Sequence, residues 1–394
     1  MIRYIMKFLW NSRRGFCSIF IEQMLISAVL TVCFLSMFDM LEKYTSPGML
    51  DTDNVVLLTC IQRLHQNNGP DRFEVNNAID AIIGNARQWE YVEAVSESSG
   101  LVPYMRPSEY YASEDSIYVT GGGKYFVHAK TADENADKVF GINIQEGAWL
   151  HQQDDGTDPA LISRQLAEDM KSEGNPVGLK FKYYGRTYTV TGVFDGAKEE
   201  PFVPAAPSII RTWPFFDKVR PYREICFRIE PGHEQEFCSR LYKECKRLIP
   251  HFDTIDIGIT DMEYFKSKAM SSETSRLKLM LIPTALLVLF AFVGSLGLLM
   301  LNARKRAVEY SLHRAMGATR MTLMKLVIVQ SLVLTLLASV PCIVIALAVF
   351  GFSLVSLYAI LATVSLMLLF SLVSACYPAW KIAQINPASV LHEE

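Results

Sequence analysis

Residues 326–377 read LVIVQSLVLTLLASVPCIVIALAVFGFSLVSLYAILATVSLMLLFSLVSACY, some fifty positions without one charged side chain. A helix needs only about 20 apolar residues to cross about 30 Å of hydrocarbon. The stretch is therefore long enough for two crossings, and Gly351 near its middle offers the turn. We expect helices over 323–350 and 356–376, joined near Gly351 to Val355. Two further stretches have the same character. LMLIPTALLVLFAFVGSLGLLML, Leu279 to Leu301, is almost unbroken, and IFIEQMLISAVLTVCFLSMF, Ile19 to Phe38, is interrupted only by Glu22 and Gln23. Those two are read as lying at the edge of the span, where side chains reach the headgroups. The expected fold is a membrane protein with four transmembrane α-helices, one before and three after a large α+β extracytoplasmic domain.

Orientation follows from Lys and Arg. Arg3, Lys7, Arg13 and Arg14 precede the first span with no acid among them. Arg304, Lys305, Arg306, Arg314, Arg320 and Lys325 lie between the second and third spans, against the single acid Glu309. Both segments are assigned to the cytoplasm, so both termini fall there. Residues 41–301 hold 27 basic and 36 acidic residues, which suits a translocated domain. The expected boundaries are a cytoplasmic amphipathic helix over 1–18, spans over 19–40, 276–302, 323–350 and 356–376, the outer domain over 41–275, a cytoplasmic helix and loop over 303–322 and a tail over 377–394. In the first of these, Ile2, Ile5, Met6, Leu9 and Trp10 recur at helical spacing opposite Arg3, Lys7 and Arg14, as in an interfacial helix lying on membrane lipid. The long apolar run that follows has no small-residue cleavage site before Asp39 and reads as an uncleaved anchor.

Whole-chain composition narrows the function. Of 394 residues 50% are hydrophobic and 20% charged, with a formal charge of -3. No basic excess is available to wrap nucleic acid. Eight cysteines form no CxxC pair, so neither a zinc nor a thioredoxin reading applies. Cys60, Cys226, Cys238 and Cys245 lie in the outer domain, where disulfides are left open. Cys238 and Cys245, on one helix, stand about 10 Å apart and do not bridge each other.

Within the outer domain, Phe237, Leu241, Cys245 and Leu248 recur at helical spacing over 233–248, and Glu74 to Trp89 also reads as a helix. Ser116 to Val119 with Tyr125 to Ala129 flank Gly121 to Gly123. Leu179 to Tyr184 with Thr187 to Phe194 flank Gly185-Arg186. Both pairs predict hairpins. GGGK at 121–124 lacks the earlier glycine of a phosphate loop, a position held by Tyr118. His151, Asp154, Asp155 and Asp158 lack the spacing and distal glutamate of a calcium loop. Pro201, Pro204 and Pro207 in EEPFVPAAP predict an extended connector. The histidines are scattered and neither GxSxG nor HExxH occurs, so no hydrolase emerges. Spans two to four carry no central charge, which argues against an ion-coupled transporter.

After the second span the chain reads NARKRAVEYSLHRAMGATRMTLMKL. Ala303 to Met316 predicts a short helix, Gly317 its left-handed end and Thr319 the cap of the next helix. ARKRAVEYSLHRAMGATR resembles the signature that follows the second span of MacB/FtsX-type ABC transporter permeases, at Arg306, Glu309, Tyr310, Leu312, Arg314, Ala315, Met316, Gly317, Ala318 and Thr319. The tail resembles the family's ending at Pro378, Ala379, Ala383, Pro387 and Leu391. In the outer domain, Gly147, Leu161 to Ser163, Leu166, Ala167, Asn175, Pro176, Gly178 and Tyr188 to Val193 resemble the MacB-type periplasmic core. Residues 51–115 and 196–265 match no quoted pattern.

The resemblance implies a non-catalytic permease subunit in a bacterial inner membrane. Its ATPase-docking site would be a coupling helix carrying Arg306, Glu309, Tyr310, Leu312, Arg314, Ala315, Met316, Gly317 and Ala318, with Arg314 pairing acids of an ABC ATPase. No GxxxxGK[ST] occurs, so ATP and Mg are expected on the partner ATPase and no cofactor in this chain. The same resemblance implies a homodimer or a heterodimer with a related permease, and a periplasmic adaptor or outer-membrane channel as further partners. Export or extraction of a substrate is the main reading. Regulation of an extracytoplasmic cell-wall enzyme without transport is the alternative.

Overall fold

In the computed structural model the described residues are 13–62, 72–105, 115–150, 156–170, 174–213, 223–250, 252–305 and 307–384. Most of the expected amphipathic helix, His151, Asp154, Asp155, Arg306 and the chain from 385 lie outside them. Two compact units result, one of residues 1–42 with 274–394 and one of Lys43–Glu273.

The first unit holds four helices long and apolar enough to cross a membrane. They belong to α1 (Arg13–Thr45), α6 (Met262–Lys305), α8 (Arg320–Phe350) and α9 (Leu354–Ala383), with the short α7 (Ala307–Ala315) between α6 and α8. α1, α6 and α9 run past both expected bounds and α8 past its expected start, because helix extension costs little beyond the lipid boundary once the helix is nucleated. Residues 13–18, expected to close the amphipathic segment, are part of α1. The first residues of the expected tail continue α9. Gly351 ends α8, and Ser353 caps α9 by accepting the Ser356 N–H at 3.1 Å. Outward faces are apolar, with Leu279 77% and Phe290 72% exposed, as a lipid-facing surface requires.

Inside the bundle the contacts mix small apolar and polar groups. Ile26 and Leu30 of α1 pack on Met367, and Ile19 packs on Leu299, Leu334 and Ala375. The Thr335 hydroxyl donates to Gln23 Oε1 at 3.0 Å, and Ser331 and Ser371 hydroxyls share a hydrogen bond of 2.8 Å. Gln23 is thus a buried interhelical contact and not a residue reaching the headgroups. Glu22 beside it lies so close to α6 that a Cβ on Gly294 would stand 2.7 Å from its Oε1. Hydropathy reports that these two side chains are polar; it does not report that they point inward.

The second unit is α+β. Its strands are β1 (Val55–Gln62), β2 (Val92–Ser99), β3 (Asp115–Val119), β4 (Lys124–Ala132), β5 (Ile144–Gly147), β6 (Asp158–Ser163), β7 (Lys180–Tyr183), β8 (Arg186–Phe194), β9 (Ser208–Arg211), β10 (Glu224–Ile229) and β11 (Ile255–Asp261). Their order is β11-β1-β10-β2-β4-β3-β7-β8-β6-β9, with β5 on β8 and β9 returning to pair with β4. The return closes β4, β3, β7, β8, β6 and β9 into a six-stranded ring, which removes the exposed edges that an open sheet would leave. Phe181, Tyr188, Val190, Ile209 and Ile117 belong to its core, with Leu166 and Met170 from α4 (Arg164–Asp169) and the turn that ends it. Both expected hairpins form, β3–β4 and β7–β8.

The remaining strands, β11-β1-β10-β2, form a sheet with two apolar faces. Alternation along β1 sends Val56 and Leu58 to one core, shared with α2 (Arg72–Ala86) and α5 (Glu234–Leu248). Val55 and Leu57 go to the other, shared with α3 (Ala136–Phe140) and Met262. The helix expected over 233–248 is α5, with Phe237, Leu241 and Cys245 buried as its spacing predicts. All eight cysteines are free thiols.

Gly147 explains itself in this fold. It pairs with Gly192 across β5 and β8 at φ +79°, and a Cβ there would stand 2.2 Å from Thr191 O and 2.7 Å from Gly192 Cα. Gly147→Val should force the strands apart and cost about 2–4 kcal/mol, by backbone strain plus overpacking. Thermal unfolding of the purified chain would register this as a lower midpoint; an unchanged midpoint would refute it.

Candidate functional site

The site singled out by the sequence is the bracket between α6 and α8. Residues 303–305, expected in its helix, instead continue α6, since nothing between Leu301 and Lys305 breaks a helix already running. The bracket helix is α7 alone. It ends in a Schellman arrangement. Gly317 takes φ +97°, its N–H reaches Arg314 O at 3.1 Å, and the Ala318 N–H reaches His313 O at 3.0 Å. Thr319 then caps α8 by accepting the Thr322 N–H at 3.2 Å. Gly317 and Thr319 therefore hold the positions expected of them.

Periodicity divides α7 into two faces. Tyr310 is 5% and Ser311 1% exposed, and Tyr310 packs with Leu323 and Val327 of α8 and Ala379 and Ile382 of α9. Arg314 is half-buried, and its guanidinium donates to Ala383 O at 3.3 Å, at the C-terminal end of α9, where a cation suits the helix dipole. These residues brace the bracket against its own chain. The opposite face carries Val308, Leu312 and Met316 at spacings of four, 41%, 53% and 69% exposed, with Glu309 and Ala315 also exposed. Gly317 is exposed at the turn and Ala318 is half-buried beside it.

Of the expected docking set, Glu309, Leu312, Ala315, Met316 and Gly317 are exposed, Tyr310 is buried in internal packing, and Arg314 is half-buried with Nη1 on Ala383 O. Arg306 lies outside the described residues. Val308 is not a motif position, although its spacing from Leu312 and Met316 announces it. An apolar ridge of this kind, with one acid beside it, can seat in a groove of another protein surface. It carries no group arranged for bond chemistry.

Elsewhere, GGGK is a hairpin turn with Gly121 at φ +86° and the Val119 N–H on Gly123 O at 3.1 Å. Asp158 lies 3.7 Å from Arg186. Among the described residues no three His, Cys, Asp or Glu side chains gather as metal ligands.

Four membrane-crossing helices, an α+β domain inserted after the first of them and a braced amphipathic bracket define a membrane permease architecture. The chain belongs to the MacB/FtsX-type permease family: the MacB-like periplasmic core domain matches residues 24–236 and the FtsX-like permease C-terminal domain matches residues 281–387. The pyoverdine export ATP-binding/permease protein PvdT of Pseudomonas entomophila (strain L48) is 23% identical over 305 residues, 72% of this chain and 44% of that protein. The chain therefore spans less than half the length of this relative. Among solved structures, the periplasmic region of MacB from Actinobacillus actinomycetemcomitans is 13% identical, covering 55% of this chain and 92% of that one with a TM-score of 0.38. The extracellular domain of the noncanonic ABC-type transporter YknZ from Gram-positive bacteria is 12% identical, covering 52% and 100%, with a TM-score of 0.37.

Proposed function

We propose that this chain is the membrane subunit of an ABC exporter, driven by an ATPase that its 394 residues do not contain. The observation that carries the reading is the outward ridge Val308–Leu312–Met316 with Glu309, on a helix braced from behind by Tyr310 and Arg314. An exposed apolar ridge on a rigid support is what a groove on an ATPase surface would recognise. The absence of a Walker sequence from the chain is consistent with ATP and Mg being held by that partner.

In this reading the bracket and both chain ends face the cytoplasm, as the Lys and Arg distribution suggests, and the Lys43–Glu273 unit faces the periplasm. ATP-driven closure of the ATPase moves the bracket, and the membrane helices pass the displacement to the outer domain. The permease works as a dimer, either of itself or with a related chain, because four helices enclose too little space for a path of their own. The naming of PvdT for export favours transport over regulation of a cell-wall enzyme.

Affinity purification of the full chain in mild detergent, followed by ATPase assay of the eluate, tests this. The expected result is a copurifying ATPase whose turnover is lost when its nucleotide site is mutated. Hydrolysis by the permease chain alone, or recovery with no ATPase, would overturn the reading.

A further inference from the structure

Residues 195–207, between β8 and β9, have no regular secondary structure, and their prolines predict a connector. The connector is packed. Gly196, Ala197, Lys198 and Pro201 are buried, and Lys198 is only 2% exposed. A buried ammonium is strongly disfavoured unless its protons are accepted. Lys198 Nζ donates to Lys43 O at 2.7 Å and Tyr44 O at 3.2 Å, carbonyls of the last turn of α1, and Lys43 O also accepts the Ser46 hydroxyl at 2.8 Å. Cation and helix C-terminus are matched in charge.

The backbone reinforces the grip. The Lys198 N–H donates to Gly48 O at 2.8 Å. A Cβ on Gly48 would stand 3.2 Å from the Gly196 carbonyl carbon, and one on Gly196 would stand 2.8 Å from Ala205 Cβ. The rings of Tyr44 and Phe202 lie 5.5 Å apart.

Glu199, the next residue, is engaged with β4. Its Oε1 lies 3.4 Å from His128 Nδ1 and 3.5 Å from Lys130 Nζ, both on β4. The hydrogen bond from His128, and then the charge of Lys130, hold its carboxyl down to about 2, so it stays ionised. Its carbonyl accepts the Tyr104 N–H at 2.7 Å. Lys130 is itself buried and donates to Gly100 O at 2.8 Å. Two consecutive side chains therefore hold the end of α1 and a strand of the six-stranded ring.

We propose that Lys198 and Glu199 form a clasp that ties the last turn of the first membrane helix to β4, so that a displacement of that helix is delivered to the ring. Both are positioning residues. The inference rests on the reading that nucleotide-driven motion reaches the outer domain. It adds where the motion enters. A joint of charged groups with discrete partners can hold one arrangement or another, which plain apolar packing specifies less sharply.

Hydrogen–deuterium exchange of the full chain in complex with its copurified ATPase, with and without ATP plus vanadate, tests the clasp. In the wild type, trapping should change exchange over both 41–48 and 124–132. Glu199→Ala should keep the change over 41–48 and lose it over 124–132, and Glu199→Gln, which retains an acceptor for His128, should restore at least part of it. Lys198→Met should raise exchange over 41–48 about tenfold even without nucleotide, as the helix end frays. A purely structural role for Glu199 would instead raise exchange over 124–132 equally in both nucleotide states. If Glu199→Ala transmits the change undiminished, the clasp is wrong and the exporter reading survives. If the wild type shows no nucleotide response at either place, both fail.

Discussion

Leu312→Asp should abolish recovery of the ATPase with the solubilised permease. Leu312 is the middle residue of the ridge, 53% exposed with no role in the internal cluster that anchors Tyr310, so the substitution leaves the bracket standing. A carboxylate placed at the centre of an apolar contact must be desolvated without a partner, which costs about 2 kcal/mol or more, and the few residues that dominate an interface cluster near its centre. Binding should weaken by at least about 30-fold, since 1.4 kcal/mol corresponds to tenfold. Gly317→Trp is the contrasting variant. It distorts the turn at φ +97° and should impair both docking and the protease resistance of residues 303–322, whereas Leu312→Asp should impair docking alone. Undiminished copurification of Leu312→Asp would remove the bracket from the interface.

Arg223→Ala should produce the largest loss of stability in the α+β unit. The Arg223 side chain is 4% exposed, and its Nη2 donates to Asp80 Oδ1 at 2.5 Å and to Glu97 Oε2 at 2.8 Å. Its Nη1 reaches Asn76 O at 3.3 Å, so one guanidinium ties α2 to β2. Removing it takes from the Glu97 carboxylate, whose side chain is 10% exposed, the cation 2.8 Å away in a setting of low dielectric. Breaking one side of a buried pair costs about 3–5 kcal/mol. For a unit of this size that lowers the unfolding midpoint by about 6–20 °C, at roughly 2–4 °C per kcal/mol. Asp80→Asn makes the comparison, because Asp80 is 62% exposed and its contribution should stay within about 1 kcal/mol. Arg223→Met combined with Glu97→Leu should recover most of the loss, which separates a carboxylate deprived of its cation from lost packing. A midpoint within 2 °C of wild type for Arg223→Ala would show that Glu97 finds relief elsewhere.

The membrane helices were legible because the property that makes them is local. Twenty apolar residues without charge have no better place than lipid, whatever the rest of the chain does. The β3–β4 and β7–β8 hairpins were legible for a related reason, since Gly121 and Gly185 supply positive φ where two neighbouring strands must turn. The spacing of Phe237, Leu241 and Cys245 likewise announced α5 and its buried face. The bracket signature is carried by its residues, but its start is not, because the boundary depends on whether 303–305 prolong α6 or begin anew, and they prolong it.

Other features depended on partners far away in the chain. The ring closes through parallel pairing of His128 to Thr131 with Ser208 to Arg211, and no pattern within either segment names the other. Polarity alone puts Gln23 among the headgroups, yet it meets Thr335 more than 300 positions on. Motif spacing places Arg314 on the docking set, and only the fold shows that one of its guanidinium nitrogens donates to Ala383 O. The run Gly196 to Pro207 looked like a linker from its prolines. Only the approach of α1 and β4 makes Lys198 a buried cap and Glu199 an ion-pair partner.

From its sequence alone this protein is expected to be a membrane chain of four spans with a domain inserted after the first and a short bracket between the second and third, and its motifs resemble those of MacB/FtsX-type permeases. Hydropathy, turn geometry and a dense local signature act over a few turns of chain and leave little choice. Which face of the bracket looks outward, which polar side chains are consumed inside the bundle and which residues grip the end of the first helix were decided by tertiary structure. Each of those depends on which carbonyl, carboxylate or apolar surface arrives opposite, and the arrival is set by packing between segments tens to hundreds of residues apart.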